Sequence, residues 1–237
     1  MQNKSEIKLS NKAKREQEKK KKQRRMQIIM WTTGVVVIAL IAVAIIFQPK
    51  AKPLEVAYDQ LPILGKAEAP VKIVEFGDYK CPSCQYFSQN IMPLLKTDYI
   101  DTGKASLYFM NDTIIYQDST TAALAAQAVF HQSNEEFWKY YDALFKNQKA
   151  EEQSIWATPD FLTDLAKSAG IKVDYDKLRQ DIDNQTYMDE VTEHTRFAQN
   201  DAKVTATPTL LINGVKFEDV FNYEALKKAI DSAIGES

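Results

Sequence analysis

Residues 75–84, Glu75-Phe76-Gly77-Asp78-Tyr79-Lys80-Cys81-Pro82-Ser83-Cys84, contain both cysteines of this 237-residue chain. The two cysteines are three positions apart, and C-x-x-C is a spacing typical of redox-active and metal-binding sites. A proline directly after the first cysteine favours the first position of a helix, because a residue there needs no N–H partner. The segment therefore predicts a helix that begins at a redox-active dithiol.

The start of a helix changes the chemistry of a thiol placed there. Its first N–H groups have no intrahelical partner and carry partial positive charge, which stabilises an anion. We expect the pKa of Cys81 to fall from about 8.5 into the range ~3.5–7.5, with a contribution from the neighbouring Lys80. Cys81 is then the exposed nucleophile, and Cys84, one turn further on, is the buried thiol that resolves a mixed disulfide. Pro82 and Ser83 complete the active-site turn.

Two other interpretations of the cysteine pair remain open. A structural zinc ion needs four ligands, and the only histidines, His131 and His194, lie far away in sequence and are not spaced as a ligand pair. A purely structural disulfide between such close cysteines closes a loop too small to add much stability. Redox chemistry is the interpretation that we favour.

The residues around the dithiol predict a β-α-β unit. Residues 71–76 alternate and are rich in β-branched side chains, which indicates a strand that runs directly into the C-x-x-C segment. Residues 85–99 have a helical period, with a kink expected at Pro93, and residues 105–110 form a second strand. The dithiol would thus lie at the carboxyl end of a strand, where open α/β sheets place their sites.

The second half of the chain predicts a helical block followed by a hairpin. Strand signals are absent until Thr209, and the intervening residues predict five helices. Asn213-Gly214 then joins two short strands as a tight hairpin turn. A closing helix follows, capped by Asn222. The predicted helices cover residues 119–131, 134–147, 158–170, 175–183, 187–200 and 223–234.

The N-terminal residues predict a membrane anchor. Residues 1–26 contain eleven Lys and Arg against three Glu, a net +8, so the remainder of the chain carries −10 for a total of −2. Residues 28–47 contain no charge and are long enough, as a helix, to cross a bilayer core. The basic block then places the N-terminus in the cytoplasm and the rest of the chain outside.

Alternatives to a retained anchor also exist. Ala42-Val43-Ala44 has the form of a signal-peptide cleavage site, although the apolar run continues past it. A basic block can also be a nucleic-acid-binding tail, which the acidic remainder of the chain disfavours. We therefore predict a basic cytoplasmic segment at 1–26, a signal-anchor helix at 27–47, a linker at 48–60 and one extracytoplasmic domain at 61–237, in a compartment where disulfides persist.

The order of these elements resembles the DsbA-type thiol-disulfide oxidoreductases. Residues 75–84 are similar to the active-site segment of the membrane-anchored, BdbD-like members, and Ala206-Thr207-Pro208-Thr209 is a second match. The resemblance covers about residue 61 to the C-terminus. It implies an α/β, thioredoxin-like fold with an all-helical domain inserted at about 117–202, preceded here by one N-terminal transmembrane helix.

The resemblance also implies roles for particular residues. Pro208 would be a cis proline facing the dithiol, and the backbone of Thr207 would pair with an extended substrate segment. Glu75 would be a buried acid beneath the dithiol that accepts the Cys84 proton. Ser83 stands where the founding DsbA has a histidine that favours the reduced form, so the resemblance leaves the reduction potential open.

The implied activity is that of an extracytoplasmic disulfide oxidase. Its partners would be secreted or surface proteins with free cysteines and a DsbB-like membrane quinone reductase that reoxidises Cys81 and Cys84. No organic cofactor is expected, while a structural Ca²⁺ with unassigned ligands is possible in this family. Two alternatives remain: a reductase or isomerase that works in the opposite direction, and a non-catalytic, chaperone-like module of the same fold.

Overall fold

The computed structural model describes residues 3–46, 52–149 and 154–235. The chain forms two compact units, residues 1–51 and 52–237. The described part of the first unit is one helix, α1 (Asn3–Ile46), which joins the predicted basic segment and the predicted anchor without a break. Residue 47, the last of the predicted anchor, and residues 48–51 of the predicted linker lie outside the described residues. No helix among the described residues has the length and apolar character needed to cross a membrane.

Five strands of the second unit form one sheet: β1 (Ile63–Leu64), β2 (Val71–Gly77), β3 (Ala105–Asn111), β4 (Thr209–Ile212) and β5 (Val215–Phe217). Their spatial order is β1-β3-β2-β4-β5. β2 pairs with β3 in parallel, and the other neighbours are antiparallel. The four strands predicted from sequence are confirmed, whereas the two-residue β1 was not predicted, because two residues show no period.

A helical path over residues 82–100 connects β2 to β3. It consists of α2 (Pro82–Tyr86), a π-helical turn (Phe87–Ile91), α3 (Met92–Leu95) and a second π-helical turn (Lys96–Ile100). Pro93 lies at the start of α3, directly after the first π turn. A proline without an N–H cannot continue the regular hydrogen-bond ladder, so the predicted irregularity is present.

Five helices lie between β3 and β4 and form the inserted helical region. Thr158 caps one of them by accepting from the Phe161 N–H, with Pro159 in the first turn as predicted. A third π-helical turn, Phe197–Asp201, leads towards β4. The five helices are α4 (Ser119–Phe130), α5 (Asn134–Lys146), α6 (Pro159–Ser168), α7 (Tyr175–Asp183) and α8 (Met188–Arg196).

The chain ends with the predicted hairpin and helix. Asn213 and Gly214 both have positive φ, 47° and 80°, which a tight turn between β4 and β5 requires. Asn222 accepts from the Ala225 N–H at 3.1 Å and so caps α9 (Tyr223–Gly235). Gly214 also accepts from the Leu54 N–H at 2.9 Å.

Both faces of the sheet are covered. One face, with Ile73 and Phe109, packs against the 82–100 path, the inserted helices and α9. The other, with Val74 and Phe76, packs against residues 198–204 and against side chains at positions 54, 56 and 58. Residues 52–60, predicted as part of a free linker, therefore cover the sheet. Successive side chains of β2 point to opposite faces of the sheet, and both of these faces are buried rather than one being exposed to solvent.

Candidate active site

The dithiol lies where β2 ends and the 82–100 helical path begins. Cys81 has an extended backbone, φ −78° and ψ 118°, at the position before α2, and Pro82 occupies the first turn. The Gln85 N–H donates to the Cys81 carbonyl at 3.1 Å, which closes the first turn. The predicted helix start at the C-x-x-C is therefore confirmed.

The two thiols differ in burial, but neither is openly exposed. Cys84 is fully buried, as expected, and Cys81 is 5 % exposed. The expectation of an exposed Cys81 is therefore wrong for this conformation, since the Thr207 carbonyl lies 3.3 Å from its Sγ and accepts from the thiol. Pro82 and Ser83 are the exposed members of the turn.

The surroundings lower the pKa of Cys81 to about 6. A hydrogen bond from the Cys84 thiol is the largest cause, and burial opposes it. The nearby Thr207 side chain and the backbone N–H groups of Cys84 and Ser83 add to the lowering. The last two are the helix-start groups expected to stabilise a thiolate. Cys81 is thus largely ionised at neutral pH.

The same contacts act on Cys84 in the opposite direction. Burial raises the pKa of Cys84 well above its usual range, and its hydrogen bond to Cys81 and the charges of Cys81 and Glu75 raise it further. Burial disfavours a negative charge on Cys84, and a hydrogen bond from the Asp78 backbone offsets this only in part. The surroundings therefore favour the thiolate form of Cys81 and the protonated thiol form of Cys84.

Glu75 lies in the central strand beneath the dithiol. It shares the sheet face of Ile73 by alternation and is fully buried between Phe109 on β3 and Leu210 on β4. Burial raises its pKa to about 8, a hydrogen bond from the Tyr141 hydroxyl works against this rise, and the charge of Cys81 adds to it. Its carboxyl group therefore changes protonation near neutral pH.

Lys80 is adjacent to Cys81 in sequence, but its ammonium group is engaged elsewhere. It donates to Asp118 Oδ1 and, at 2.5 Å, to the Ser154 carbonyl. It also lies over the rings of Tyr116 and Trp156. Lys80 is not among the causes that lower the pKa of Cys81, so the expected contribution from Lys80 is corrected.

Asp118 is a site residue that the sequence did not reveal. Besides Lys80, it accepts the N–H groups of Trp156 and Ala157 at 2.9 and 2.8 Å. Burial raises its pKa, but the bonds to Lys80 and to the two N–H groups lower it more, so the net shift is downward. Asp118 thereby ties the active-site turn to the segment between α5 and α6.

Asp78 is the second such residue, and it shapes the turn between β2 and Cys81. Its carboxylate accepts the N–H of Lys80 at 2.8 Å, and those of Ile114 and Ile115 at 2.9 and 3.0 Å. The Cys81 N–H donates to the Asp78 carbonyl at 3.0 Å. An aspartate between glycine and C-x-x-C is a weak turn signal, the only hint of this role.

The loop opposite the dithiol contains a cis peptide. The bond between Thr207 and Pro208 is cis, as the resemblance implied. Both residues are buried, and the Thr207 carbonyl is the group that contacts Cys81. Sequence positions 126 apart therefore meet at the dithiol.

A metal site does not emerge from the described residues. No three His, Cys, Asp or Glu side chains among them lie close enough together to bind a metal ion. Glu190, which lies beside a histidine, accepts from Gln127 and contacts His131 Nε2 at 2.8 Å. The structural Ca²⁺ that the resemblance allows therefore stays a prediction without assigned ligands.

Comparison with protein families gives two matches of very different extent. A thioredoxin family model matches residues 59–232, most of the chain. A model described as an inhibitor of host cell division protein domain matches only residues 8–58, which is too small a share to show a family.

Individual proteins agree with the larger match. The chain is 37 % identical over 201 residues to a probable disulfide bond formation protein D of Bacillus cereus, covering 84 % of this chain and 91 % of that protein. It is 36 % identical over 173 residues to disulfide bond formation protein D of Bacillus subtilis, covering 73 % and 77 %. The crystal structure of oxidised BdbD from Bacillus subtilis superposes with a TM-score of 0.73 at 34 % identity, covering 79 % of this chain and 100 % of that one. The chain therefore belongs to the thioredoxin family and, within it, to the DsbA-type thiol-disulfide oxidoreductases that include disulfide bond formation protein D.

Proposed function

We propose that the Cys81–Cys84 pair carries out this oxidoreductase activity as an oxidase, introducing disulfides into secreted or surface proteins. The observation that carries the proposal is the opposite perturbation of two neighbouring sulfurs. The pKa of Cys81 is lowered to about 6, while that of Cys84 is raised. A low-pKa thiolate is a good leaving group, and a buried thiol is protected from unwanted partners.

The reaction balances without a further reagent. A substrate thiolate attacks Sγ of Cys81 in the Cys81–Cys84 disulfide, an S–S bond forms to the substrate, and the electron pair of the broken bond stays on Cys84, which takes a proton. A second substrate thiolate then attacks the substrate sulfur, and Cys81 leaves as a thiolate. The substrate gains a disulfide, and the protein retains two electrons as a dithiol.

Thiolate stabilisation supports the oxidising direction. It favours the dithiol over the disulfide and so raises the reduction potential. With a Cys81 pKa of about 6, roughly one pKa unit of this stabilisation is expressed at about pH 7, which is worth about 1.4 kcal/mol or 30 mV. Ser83 cannot supply the charge that a histidine would, so the potential should lie below that of DsbA, at about −120 mV, and above that of thioredoxin, at about −270 mV.

The residues around the dithiol have distinct roles in this proposal. Glu75 exchanges a proton with Cys84, since its raised pKa lies near neutral pH. Pro208 leaves open space beside the sulfurs because it has no N–H, and the Thr207 backbone pairs with an extended substrate strand. Lys80 holds the turn through Asp118.

We further propose that α1 anchors the protein in a membrane, with the N-terminus in the cytoplasm and the dithiol outside. The support comes from the sequence of residues 28–47, from the +8 charge of residues 1–26, and from the exposed apolar side chains of Trp31, Ile38 and Leu40. A DsbB-like quinone reductase in the same membrane would reoxidise the dithiol. Membrane-impermeant maleimide applied to whole cells should label Cys81 after reduction; labelling only after lysis would refute this orientation.

The reduction potential, measured by equilibration with glutathione, tests the proposed direction. A value above about −200 mV supports an oxidase, whereas a value near that of thioredoxin supports the reductase alternative. Cys81→Ser should abolish exchange, and Cys84→Ser should accumulate a mixed disulfide on Cys81. Unchanged oxidation of a reduced client protein by Cys81→Ser would favour the chaperone-like alternative.

A further inference from the structure

The two oxygens of the buried Glu75 carboxyl are in different situations. Oε2 accepts a hydrogen bond from the Tyr141 hydroxyl at 2.8 Å. Oε1 is shielded from solvent and has no hydrogen-bond partner among the described residues. It lies under the backbone of Gly77, where an added Cβ would come within 3.3 Å of it. Tyr141 therefore leaves Oε1 as the oxygen that can take up a proton.

Tyr141 belongs to α5, in the inserted helical region, and its ring is held on several sides. Phe145 lies 4.8 Å away, Trp138 5.2 Å and Phe109 5.3 Å, as measured between ring centroids. The side chain is fully buried. A ring enclosed in this way keeps its hydroxyl in one position without further loss of conformational entropy.

We propose that Tyr141 is a positioning residue, which holds the Glu75 carboxyl so that its free oxygen exchanges the proton of Cys84 when the mixed disulfide is resolved. This role rests on the proposed function of the dithiol and of Glu75. In the resolving step, Cys84 gives its proton to the Glu75 carboxylate and its thiolate attacks Sγ of Cys81. The S–S bond to the partner breaks, and the partner leaves as a thiolate.

The other titratable groups that act on Glu75 are few. Cys81 and Cys84 interact electrostatically with it from the start of the helical path, and Tyr79 and Tyr141 interact with it from the turn and from α5. Its strand neighbours, Phe109 and Leu210, are apolar. Tyr141 is the residue of this set that donates a hydrogen bond to the carboxyl, so its removal acts mainly on the carboxylate form.

Tyr140 provides a matched control next to Tyr141 in sequence. Both side chains are fully buried on α5. The Tyr140 hydroxyl donates to the Leu162 carbonyl at 2.9 Å, within the helical region. Tyr140→Phe and Tyr141→Phe therefore each delete one buried hydroxyl and keep the ring, but only the second deletes a bond to Glu75.

The experiment mixes reduced protein with excess dithiobis-nitrobenzoate and follows the absorbance of released thionitrobenzoate across the pH range. The first release reports attack by Cys81, and the second reports resolution by Cys84. For Tyr141→Phe we expect the pH midpoint of the second release to move up by about one pH unit, because a lost hydrogen bond to the carboxylate favours the protonated form. The first release should change little.

Three results would distinguish the possibilities. Tyr140→Phe should leave both releases as in the parent protein, and an equal shift in both Phe variants would overturn the proposal. In a Glu75→Gln background, Tyr141→Phe should cause no shift; a persistent shift would also overturn it. A parent protein with no fast first release would contradict the proposed function itself, which separates that failure from failure of the role of Tyr141.

Discussion

Two buried ionisable side chains flank the dithiol, and their surroundings differ. Lys80 lies in the turn and is paired with Asp118 and with the Ser154 carbonyl. Glu75 lies in the central strand, accepts one neutral hydroxyl from Tyr141, and has no cation partner among the described residues. Both side chains are removed from water, Lys80 at 1 % exposed and Glu75 at 0 %.

The difference separates a structural charge from a chemical one. A buried charge with an opposite partner keeps its charge, and losing that partner is costly. A buried carboxyl without a cation keeps its proton to a higher pH, and the pKa of Glu75 rises to about 8. The first arrangement is suited to holding a turn in place, and the second to moving a proton near neutral pH.

The largest effect is expected when Lys80 loses its partner. Asp118→Asn leaves a buried ammonium group without a countercharge, which should lower the free energy of unfolding by about 3–5 kcal/mol. Urea unfolding measures this loss. Asp142→Asn is the control, since Asp142 pairs with Lys146 on the surface and should change stability by less than about 1 kcal/mol. Equal losses of stability in the two variants would remove the contrast between the buried and the exposed ion pair.

The next effect is kinetic and concerns Glu75. Glu75→Gln removes the proton acceptor while retaining shape, so the second thionitrobenzoate release should slow by about 100-fold at neutral pH. Glu136→Gln is the control, because Glu136 is buried but its carboxylate is engaged by Lys139 and by the Lys172 N–H. A Glu75→Gln protein that resolves at the parental rate would show that water performs the proton transfer.

The pH dependence of stability should distinguish Glu75 from Cys81. The folded pKa of Glu75 is raised to about 8, so its contribution to stability is lost as pH rises towards that value. The folded pKa of Cys81 is lowered to about 6, so its contribution is gained as pH rises above that value. In the reduced parent protein the two oppose each other between about pH 6 and 8.

Glu75→Gln should therefore uncover the Cys81 contribution. Relative to the parent, the reduced variant should gain up to about 1.4 kcal/mol per pH unit over that window. Urea unfolding with a reducing agent at several pH values measures the difference. A difference in the free energy of unfolding that stays the same at every pH would contradict the raised pKa of Glu75.

The smallest effect is expected from Lys80 on the neighbouring thiolate. Lys80→Met should move the Cys81 pKa, read from ultraviolet thiolate absorbance, by less than about half a unit. The ammonium group is committed to Asp118, and the largest cause of the lowered pKa is the Cys84 thiol. Cys84→Ala should raise the Cys81 pKa by more than about half a unit, because it removes that thiol. A large change of the Cys81 pKa in Lys80→Met would mean that the Lys80–Asp118 ion pair also takes part in the thiol chemistry.

Local signals predicted much of the fold. The period of residues 71–76, the Thr158-Pro159 helix start and the Asn213-Gly214 turn each depend on neighbours in sequence, and all three are confirmed. The cover provided by residues 52–60 was not predicted, because a short irregular segment has no pattern that distinguishes packing from a free linker. Residues 52–60 are held in place by contacts with sheet residues that are distant in sequence.

The site divides in the same way. Cys81 and Cys84 are identified by their spacing, and the helix start beside them is a local property of the Pro82 position. Tyr141 is 66 positions from Glu75 and belongs to an aromatic stripe that predicts only a packed core. In the sequence, Asp118 is an acidic residue just before a helix, and its pairing with Lys80, 38 positions earlier, is visible only in the structure. Partners of this kind cannot be assigned from a pattern.

The amino-acid sequence by itself predicted which atoms would carry the proposed chemistry, because the C-x-x-C pattern and the helix start occupy four consecutive residues. Only the tertiary structure decided how those atoms titrate. Burial, the cis loop at Pro208 and a hydroxyl from the inserted helices depend on chain segments that are distant in sequence. A pKa is a property of the surroundings, and those surroundings exist only once the sheet and the helical region have packed together.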